Sequence, residues 1–419
     1  LEIEQMDVNI AFLHGENDKE VYVETPTGFG ARTKVCKLLR ALYGLKQSPR
    51  LWQQKLRAEF QKLGYLPLNS DTSIYATPDG LLGIVIITYV DDFLLIGPDI
   101  QKIQELKQKL GQIFSMKDLG PCNSFLGIRI TRNRKNCTIH LVQDQYIDKV
   151  IQAFGLLEAR DVSAPMDVSL KNMVPYESEA SGPEIKEYQS GVGSTMYAMV
   201  QTRPDIAFTT GVLARFSHNP SPTHAKALNR SIRYLKTTRN LGITYGGQSL
   251  GQKSGQALLD YHGFSDSDYA GDLAGRKSTS GYVFFMAGGP ISWKSSRQHA
   301  VTLSSTEAEY YALTEAAKEA IWQQALLKEL GYQGKDQNPV QILGDNTGAL
   351  TLAENPELHQ RCKHIDIKRH FIRQEVERGS ISLGYTPTDQ MAADGLTKPL
   401  SAAKHKDFIQ QLGMERIEF

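Results

Sequence analysis

Short apolar runs alternate with amphipathic segments from Leu1 to about Phe154, which predicts a mixed α/β domain. The two most apolar runs flank a pair of acids: Leu81–Thr88 precedes the pair, and Phe93–Gly97 follows it. Each run has the length and composition of a buried strand. The other helices and strands predicted in this region are Leu51–Leu63, Ile103–Phe114, Leu126–Ile130 and Thr138–Leu141.

The middle of the chain has a different pattern. Ser163–Gln189 contains prolines and lacks periodicity, so it is predicted to be a linker or a long surface loop. Val192–Tyr245 is predicted to be helical. Its best helix opens with Ser221 as the cap and Pro222 in the first turn.

The helix that begins at Ser221 is predicted to have an apolar face and a basic face. The basic face carries Lys226, Arg230 and Arg233. Between Arg203 and Arg239 there are seven Lys or Arg residues and one acid. A solvated helix face is the alternative interpretation. So unbalanced a segment nevertheless favours contacts with the phosphates of a nucleic-acid backbone.

A Gly/Gln/Ser-rich linker, Gly246–Gln256, precedes a second α/β unit that runs from Ala257 to about Leu400. No internal repeat is visible. The strands predicted in this unit are Tyr282–Met286, Val340–Leu343 and Ile381–Tyr385, and the helices are Thr306–Leu330 and His364–Glu377.

The composition sets limits on the class of protein. The 419 residues suggest two to three domains, and a net charge of +1 excludes a uniformly basic surface but allows a local basic groove. The four cysteines form no Cys-x-x-Cys pair, which indicates a reducing compartment without a disulfide framework. No signal peptide is expected from this sequence. The start at Leu1, without a methionine, indicates a piece of a longer polypeptide.

The acidic pair is Asp91 and Asp92, in the sequence Tyr-Val-Asp-Asp between the two apolar runs. Two like charges about 4 Å apart repel by about 4 kcal/mol at an effective dielectric near 20. A solvated acidic turn is one interpretation, but tight hairpins favour Asn-Gly or Asp-Gly. A membrane span is excluded because the run is short and charged at its centre. A divalent-metal site is the other interpretation.

Three sequence blocks follow one another along the chain. They are Gln5–Leu13 with a single acid, the Gly- and Lys-bearing block Leu42–Trp52, and the Asp91-Asp92 pair. Together they resemble the catalytic palm of a reverse transcriptase. With Gly28-Phe29 after a Thr-Pro pair, the chain is most similar to the polymerase of copia-type LTR retrotransposons. The resemblance continues to the end of the chain.

The resemblance implies a role for each matching residue. Asp7 and Asp91 would bind two Mg²⁺ ions, with Asp92 beside them, and Mn²⁺ is an alternative ion. Phe12 would stack under the incoming sugar and exclude a 2′-hydroxyl, with core packing as the alternative. The further substrate contacts that the resemblance implies are Gly44 and Lys46 against the nucleotide and template, and Leu126 and Gly127 at the primer.

One departure from the family concerns the fingers region, where basic residues clamp the triphosphate. Only six residues precede Asp7 in this sequence, so that region is missing here. Primer extension by these residues alone is therefore expected to be weak or absent.

Four acids of the second α/β unit, in the order Asp, Glu, Asp, Asp, resemble the catalytic set of the ribonuclease H fused to copia-type polymerases. These acids are Asp266, Glu309, Asp345 and Asp394. They would hold two further Mg²⁺ ions at the scissile phosphate of an RNA strand. Ser265, Ser267, Asn346 and Thr347 are candidate contacts to 2′-hydroxyls.

Two of these acids have a neighbouring acid as the alternative, and geometry separates only one of the two pairs. Glu309 opens the apolar face of its helix, whereas the same offsets from Glu307 give a more polar face, so Glu309 is preferred. Asp266 fits the resemblance better than Asp268, but both point to one side of a strand and the choice stays open.

Two absences also matter. Many cellular ribonucleases H have a histidine on the loop before the last Asp, and here the loop Tyr385–Met391 has none. The cluster Cys362, His364, Asp366 and His370 is not predicted to bind zinc, because paired cysteines are missing and its histidines do not share a helical face.

The expected fold is α+β: a reverse-transcriptase palm without fingers, a helical thumb or connection, and an α/β ribonuclease H-like domain with a mixed sheet. The expected boundaries are 1–160 for the palm, 161–245 for linker and thumb, 257–400 for ribonuclease H, and 401–419 for a C-terminal tail. The expected function is RNA-directed DNA polymerase and ribonuclease H of a retrotransposon. The alternative is a catalytically impaired relic or captured host protein that binds nucleic acid.

The resemblance also implies partners and a compartment. The expected partners are an RNA template, a DNA primer, an RNA/DNA hybrid and deoxynucleoside triphosphates, with the integrase and Gag parts of the same polyprotein as further candidates. No membrane is expected. The expected location is the cytoplasm, in a virus-like particle, with the nucleus as an alternative.

Overall fold

A computed structural model describes residues 1–26, 28–29, 35–247, 261–272, 275–332, 339–354 and 366–418. The chain packs into two compact units. The first comprises Leu1–Cys122 with Trp322–Gln337, and the second comprises Asn123–Ile321 with Asn338–Phe419. Each unit is described by itself.

The first unit is built on a six-stranded antiparallel sheet with the order β4-β5-β6-β7-β1-β8, beside a small β2-β3 ribbon. In chain order the strands are β1 (Glu2–Val8), β2 (Tyr22–Glu24), β3 (Val35–Lys37), β4 (Leu66–Pro67), β5 (Ile74–Ala76), β6 (Val85–Tyr89), β7 (Asp92–Gly97) and β8 (Met116–Pro121). Its two helices are α1 (Ser48–Lys62) and α2 (Ile100–Ile113).

The apolar core of this unit packs on one face of the sheet, and Asp7 lies on the other face. Met6 and Val8 of β1 are buried and pack with Phe93 of β7. Because side chains alternate along a strand, Asp7 points to the opposite face. On the core side, α1 and α2 contribute buried residues such as Phe60 and Ile103 to the same apolar cluster.

The second unit contains an antiparallel sheet, with the order β18-β12-β11-β10-β9, and a group of helices. The strands are β9 (Ser124–Phe125), β10 (Ile128–Asn133), β11 (Thr138–Val142), β12 (Leu241–Gly246) and β18 (Met414–Arg416). The helices are α3 (Asp144–Ala153), α4 (Gly182–Gln201), α5 (Ala207–Ala214) and α6 (Pro222–Thr237). The chain's C-terminal strand thus completes a sheet that begins at residue 124.

The second unit also contains a mixed five-stranded sheet with the order β15-β14-β13-β16-β17. Its strands are β13 (His262–Asp268), β14 (Thr279–Met286), β15 (Gly289–Arg297), β16 (Val340–Gly344) and β17 (Ile381–Tyr385). Strands β13 to β15 are antiparallel neighbours, whereas β16 and β17 run parallel to β13. The remaining helices are α7 (Ser305–Glu329), α8 (Thr347–Glu354), α9 (Asp366–Glu377) and α10 (Ala402–Gln411).

These elements confirm the expected fold class, with three local corrections. Leu126 and Gly127 were expected to begin a strand, but they form a two-residue turn with φ of 48° and 72° between Phe125 and Ile128. Glycine at φ > 0 suits such a turn. Strand β12 replaces the helix expected through Tyr245, because pairing with β11 and β18 overrides the local helical preference.

The third correction concerns the expected linker Ser163–Gln189. Its last eight residues belong to α4, which begins after Ser181. Ser181 and Glu184 form a reciprocal capping box, and Pro183 occupies the first turn. This Ser-x-x-Glu signal is present in the sequence and outweighs the polar composition of the stretch.

Other expectations can be followed only within the described residues. There, no helix is long and apolar enough to cross a membrane. Cys36, Cys122 and Cys137 form no disulfide within the described part of the chain. Cys362 and His364, and the side chains of Asp366 and His370, lie outside what the structure describes.

Candidate active sites

The first acidic site is built on the tight turn between β6 and β7. Tyr89 pairs with Asp92, so Val90 and Asp91 are the two turn residues. Val90 has a φ of 56°, which is unfavourable for a β-branched residue. The indole Nε1 of Trp52, on α1, donates a hydrogen bond of 2.6 Å to the Val90 carbonyl oxygen. A buried helix residue therefore supports the strained turn.

This turn places three carboxylates next to one another. Asp7 of β1 lies directly opposite Asp92 of β7, and the backbone N–H of Val8 donates to the Asp91 carbonyl at 2.8 Å. Directly opposed residues share one face of a sheet. Burial raises the pKa of Asp92, and the neighbouring Asp91 and Asp7 charges raise it further. The structure therefore places the three predicted acids at one end of β1 and β7, although their carboxylate oxygens are not all within 4.8 Å of one another.

Aromatic rings cover one side of this site. Phe12, in a short 3₁₀ helix, packs against Tyr43 with ring centroids 4.4 Å apart. The Tyr43 hydroxyl donates to Asp91 Oδ2 at 3.2 Å, and burial and the Asp91 charge raise the pKa of Tyr43. Gly44 follows with a φ of 94°, and Lys46 is exposed in the same loop. Sequence reasoning did not single out Tyr43 or Trp52, although both lie in the block quoted for Gly44.

The predicted primer contact lies in the second unit. The carbonyl oxygen of Leu126 accepts a hydrogen bond from the Tyr197 hydroxyl, and Tyr197 packs on Tyr146 with centroids 4.8 Å apart. Gly127 approaches the same hydroxyl: a Cβ added there would lie 3.4 Å from Tyr197 Oη. Two tyrosines therefore hold this turn in place.

The second acidic site is a compact cluster of Asp266, Glu309 and Asp345, whose carboxylate oxygens all lie within 4.8 Å of one another. Asp266 is on β13 and Glu309 is in the first turns of α7; Asp345 directly follows β16. Asp266 is 5% exposed and Glu309 is 7% exposed. The topology thus brings together residues that are up to 79 positions apart in the sequence (345 minus 266).

The electrostatics of the cluster fit a cation. Burial, with further contributions from neighbouring acids, raises the pKa of Asp266 to about 6. Burial and the Asp266 and Asp345 charges raise the pKa of Glu309 to about 9. Buried carboxylates at such distances need protons or a bound cation to offset their repulsion. Three hard oxygen donors are the ligand set that Mg²⁺ or Mn²⁺ takes.

Glu307 and Asp268, the alternatives to Glu309 and Asp266, do not belong to the three-acid cluster. The Oε2 atom of Glu307 accepts from the backbone N–H of Leu303 at 2.7 Å, and the N–H of Glu307 donates to Ser304 Oγ. Glu307 is therefore part of the cap of α7. Asp268, two residues after Asp266, lies outside the three-acid cluster.

Asp394 stands beside the cluster rather than in it. Its carboxylate forms an ion pair with Lys398, and its charge contributes to the raised pKa of Asp266. Burial acts to lower the pKa of Lys398, but the hydrogen bond and charge of Asp394 reverse the direction and raise it. Asp394, the predicted fourth acid, is therefore paired with the cationic side chain of Lys398.

Two threonines that sequence reasoning missed hold the cluster. Buried Thr397 donates its hydroxyl hydrogen to Asp266 Oδ2, and Thr388 donates to Asp345 Oδ2 at 2.8 Å. Thr397 lies three residues after Asp394, so proximity in the sequence was the available signal. Thr388 occupies the loop where the expected family histidine is absent.

The candidates for 2′-hydroxyl contacts are not equally placed. Ser265 is buried, and Asn346 caps α8 by accepting from the N–H of Ala349 at 2.9 Å. Thr347 is the first residue of that helix. Ser267 interacts with Glu309.

The residues predicted to form a basic face lie on α6, but they differ in availability. Arg233 Nε donates to the Arg160 carbonyl oxygen at 2.8 Å. Arg230 Nε is buried without a hydrogen-bond partner in the described part of the chain, and Lys226 is exposed. The sequence predicted the basic helix correctly, but at least one of its cations has a local structural contact.

Two acidic sites lie on separate sheets, and each draws carboxylates from elements distant in the sequence, an arrangement that suits divalent cations. A family profile described as "Reverse transcriptase (RNA-dependent DNA polymerase)" matches residues 1–168. The chain is 41% identical, over 99% of its length, to the "Retrovirus-related Pol polyprotein from transposon TNT 1-94" of Nicotiana tabacum. It is 33% identical to the "Putative transposon Ty5-1 protein" of Saccharomyces cerevisiae, with 75% of this chain and 100% of that protein covered.

The chain therefore belongs to the copia-type family of retrotransposon Pol polyproteins, in their reverse transcriptase region. It spans 31% of the length of the tobacco relative. The fold is similar to that of a foamy viral protease-reverse transcriptase solved in complex with ds DNA. That likeness has a TM-score of 0.50 at 14% identity and covers 92% of this chain and 57% of that chain.

Proposed function

We propose that the chain acts as the RNA-directed DNA polymerase and ribonuclease H of an LTR retrotransposon. The observation that supports this most strongly is the cluster of buried Asp266 and Glu309 with half-buried Asp345. A buried group of like charges is costly unless a cation or proton offsets it, so the cluster is better explained by chemistry than by folding.

In this proposal, residues 1–160 supply the polymerase palm, 161–245 the linker and thumb, 257–400 the ribonuclease H, and 401–419 a C-terminal tail. Mg²⁺ is the proposed cofactor, two ions per site, with Mn²⁺ as the alternative. When bound, these ions polarise the attacking hydroxyl or water and stabilise the leaving oxygen. The proposed partners are template RNA, DNA primer, RNA/DNA hybrid and deoxynucleoside triphosphates, in a cytoplasmic particle.

The chain's own residues prepare the ribonuclease site in three ways. Thr397 and Thr388 each donate a hydrogen bond to a metal-binding carboxylate, which fixes the direction of its free oxygens. Lys398 pairs with Asp394 and limits the negative charge beside Asp266. Glu307 caps α7 and so holds the helix end that presents Glu309.

The polymerase site would use Asp7 and Asp91 as ligands with Asp92 beside them. Phe12 would pack under the sugar of the nucleotide, and Gly44 and Lys46 would border the same space. The contact between Phe12 and Tyr43 supports an aromatic floor at this position.

The test is cleavage of the RNA strand of an RNA/DNA hybrid, followed on a denaturing gel. Asp345→Asn should reduce Mg²⁺-dependent cleavage by at least about a hundredfold, because it removes one ligand charge and one oxygen donor. Asp407→Asn is the matched control, since Asp407 is exposed on α10 and should leave cleavage unchanged. Cleavage that persists in EDTA, or in Asp345→Asn, would contradict the proposed metal site. Binding of the hybrid without cleavage by the wild type would favour a protein that only binds nucleic acid.

A further inference from the structure

A basic cleft lies beside the edge strand of the mixed sheet. It has a volume of about 360 Å³ and is lined by the end of β15 and by α5. Its cationic side chains are Arg215, Lys277, Arg297 and His299. A second cavity of about 270 Å³ shares Arg215 and Arg297 with it. None of these residues belongs to the predicted basic face of α6.

The cleft carries an excess of positive charge. The one acid that lines either cavity among the described residues is Asp272. Asp272 Oδ2 pairs with Arg297 Nη1 at 2.8 Å, and Oδ1 lies 3.8 Å from Arg215 Nη1. One carboxylate is thus shared by two guanidinium groups, and Lys277 has no ion-pair partner in the described chain. Three fixed cations against one anion leave a net charge of +2 before any histidine is counted.

Part of this charge is held in place by the fold. The side chain of Arg215 is 20% exposed, and Asp272, which it faces, is 9% exposed. Burial lowers the pKa of Arg215, opposed by Asp272, but a guanidinium stays charged at neutral pH. A partly desolvated guanidinium with free N–H groups is a strong donor to phosphate oxygens. The Ser295 and Ser296 side chains add hydroxyl donors to the same cleft.

The register of the sheet relates this cleft to the three-acid cluster. Asp266 lies opposite Gly281, which lies opposite Ser295; Asp268, Thr279 and Arg297 form the next such row. Ser295 is therefore two strands from Asp266, a lateral distance of about 10 Å at about 4.8 Å per strand. Directly opposed residues share a face of the sheet, so the Ser295 and Arg297 side chains of the cleft lie on the same face as Asp266.

We propose that the cleft formed by Arg215, Lys277 and Arg297 binds a backbone phosphate of the nucleic acid whose RNA strand lies at the acidic cluster. The inference rests on the proposed function. A duplex bound at the cluster must continue past it. The lateral distance of about 10 Å between Ser295 and Asp266 is comparable to the separation of backbone phosphates across the minor groove of an A-form duplex. The contact positions the duplex and reads no sequence.

The test measures binding of a 20-base-pair RNA/DNA hybrid by fluorescence anisotropy over a range of KCl concentrations. Asp345→Asn serves as the background so that no RNA is cut. In that background, Lys277→Gln and Arg215→Gln should each weaken binding, and each should reduce the slope of log K against log [KCl] by about 1. Lys318→Gln is the control, because Lys318 is exposed and already paired with Glu315 at 2.9 Å.

Lys277→Gln keeps the test informative if Arg215→Gln fails to fold, because Lys277 makes no described ion pair. An unchanged slope in well-folded Lys277→Gln and Arg215→Gln proteins would overturn the inference. If the wild type cleaves hybrid with Mg²⁺ while these slopes stay unchanged, only the phosphate cleft is wrong. If the wild type neither binds nor cleaves hybrid, the proposed function itself has failed.

Discussion

The two acidic sites hold their carboxylates together by different means. At the β6–β7 turn, the acids lie on an open face of the sheet, and a backbone strain at Val90 and a hydrogen bond from Trp52 fix the arrangement. At the three-acid cluster, Asp266 and Glu309 are buried, and the cost is electrostatic. The open site therefore depends on backbone geometry, and the buried site depends on charge compensation.

The largest expected effect tests the charge argument. Glu309→Gln should abolish metal-dependent cleavage and at the same time stabilise the metal-free protein. The folded pKa of Glu309 is raised from 4.5 to about 9, so its contribution to stability is complete below pH 4.5 and is lost as the pH rises towards 9. Removing the carboxyl should add up to about 3 kcal/mol at pH 7, measured by urea unfolding in EDTA.

The matched control for this prediction is Glu315→Gln. Glu315 lies on the same helix but pairs with Lys294 and Lys318, so its loss should not stabilise the protein. Mg²⁺ should stabilise the wild type more at pH 8 than at pH 6, and it should not stabilise Glu309→Gln. If metal-free Glu309→Gln is no more stable than the metal-free wild type, the buried Glu309 carboxyl does not destabilise the fold at neutral pH.

The second-largest effect concerns stability at low pH. It distinguishes the contribution of a buried histidine from that of the clustered carboxylates. His405, on α10, is buried, and its Nε2 lies 3.0 Å from the hydroxyl of Tyr234, which donates to Asp205. Burial lowers the pKa of His405 from 6.5 to about 4, with Asp205 opposing the shift. Between pH 6.5 and 4, His405 is therefore protonated in the unfolded chain and neutral in the folded chain.

The free energy of unfolding should consequently fall by about 3 kcal/mol as the pH drops from 6.5 to 4. His405→Phe should remove this difference, while His218→Phe, at an exposed position, should keep it. Urea unfolding at several pH values measures both. Equal acid sensitivity in wild type and His405→Phe would show that the carboxylates alone account for it.

The sequence was informative where local periodicity decides the structure. The apolar runs around Asp91 became β6 and β7. The apolar offsets from Glu309 fall on buried residues, but Glu307, Tyr310 and Thr314 are buried too, so burial does not separate the two glutamates. Strand β12 was missed, because its state depends on pairing with β11 and β18 rather than on its own composition. The support from Thr388 and Trp52 was also missed, since each acts through a contact 38 or more positions away in the chain.

The smallest expected effect tests the geometric argument at the open site. Trp52→Phe keeps an aromatic ring against Phe114 but removes the hydrogen bond to the Val90 carbonyl oxygen. The loss of one buried hydrogen bond should cost about 1–2 kcal/mol and speed amide exchange in residues 85–97. Trp322→Phe is the matched control, because its indole also donates to a backbone carbonyl, that of Ser70 at 3.1 Å, from a side chain that is 43% exposed. There the change should stay within about 0.5 kcal/mol. If amide exchange near the turn is the same in both variants, Val90 is held by its strand pairing alone.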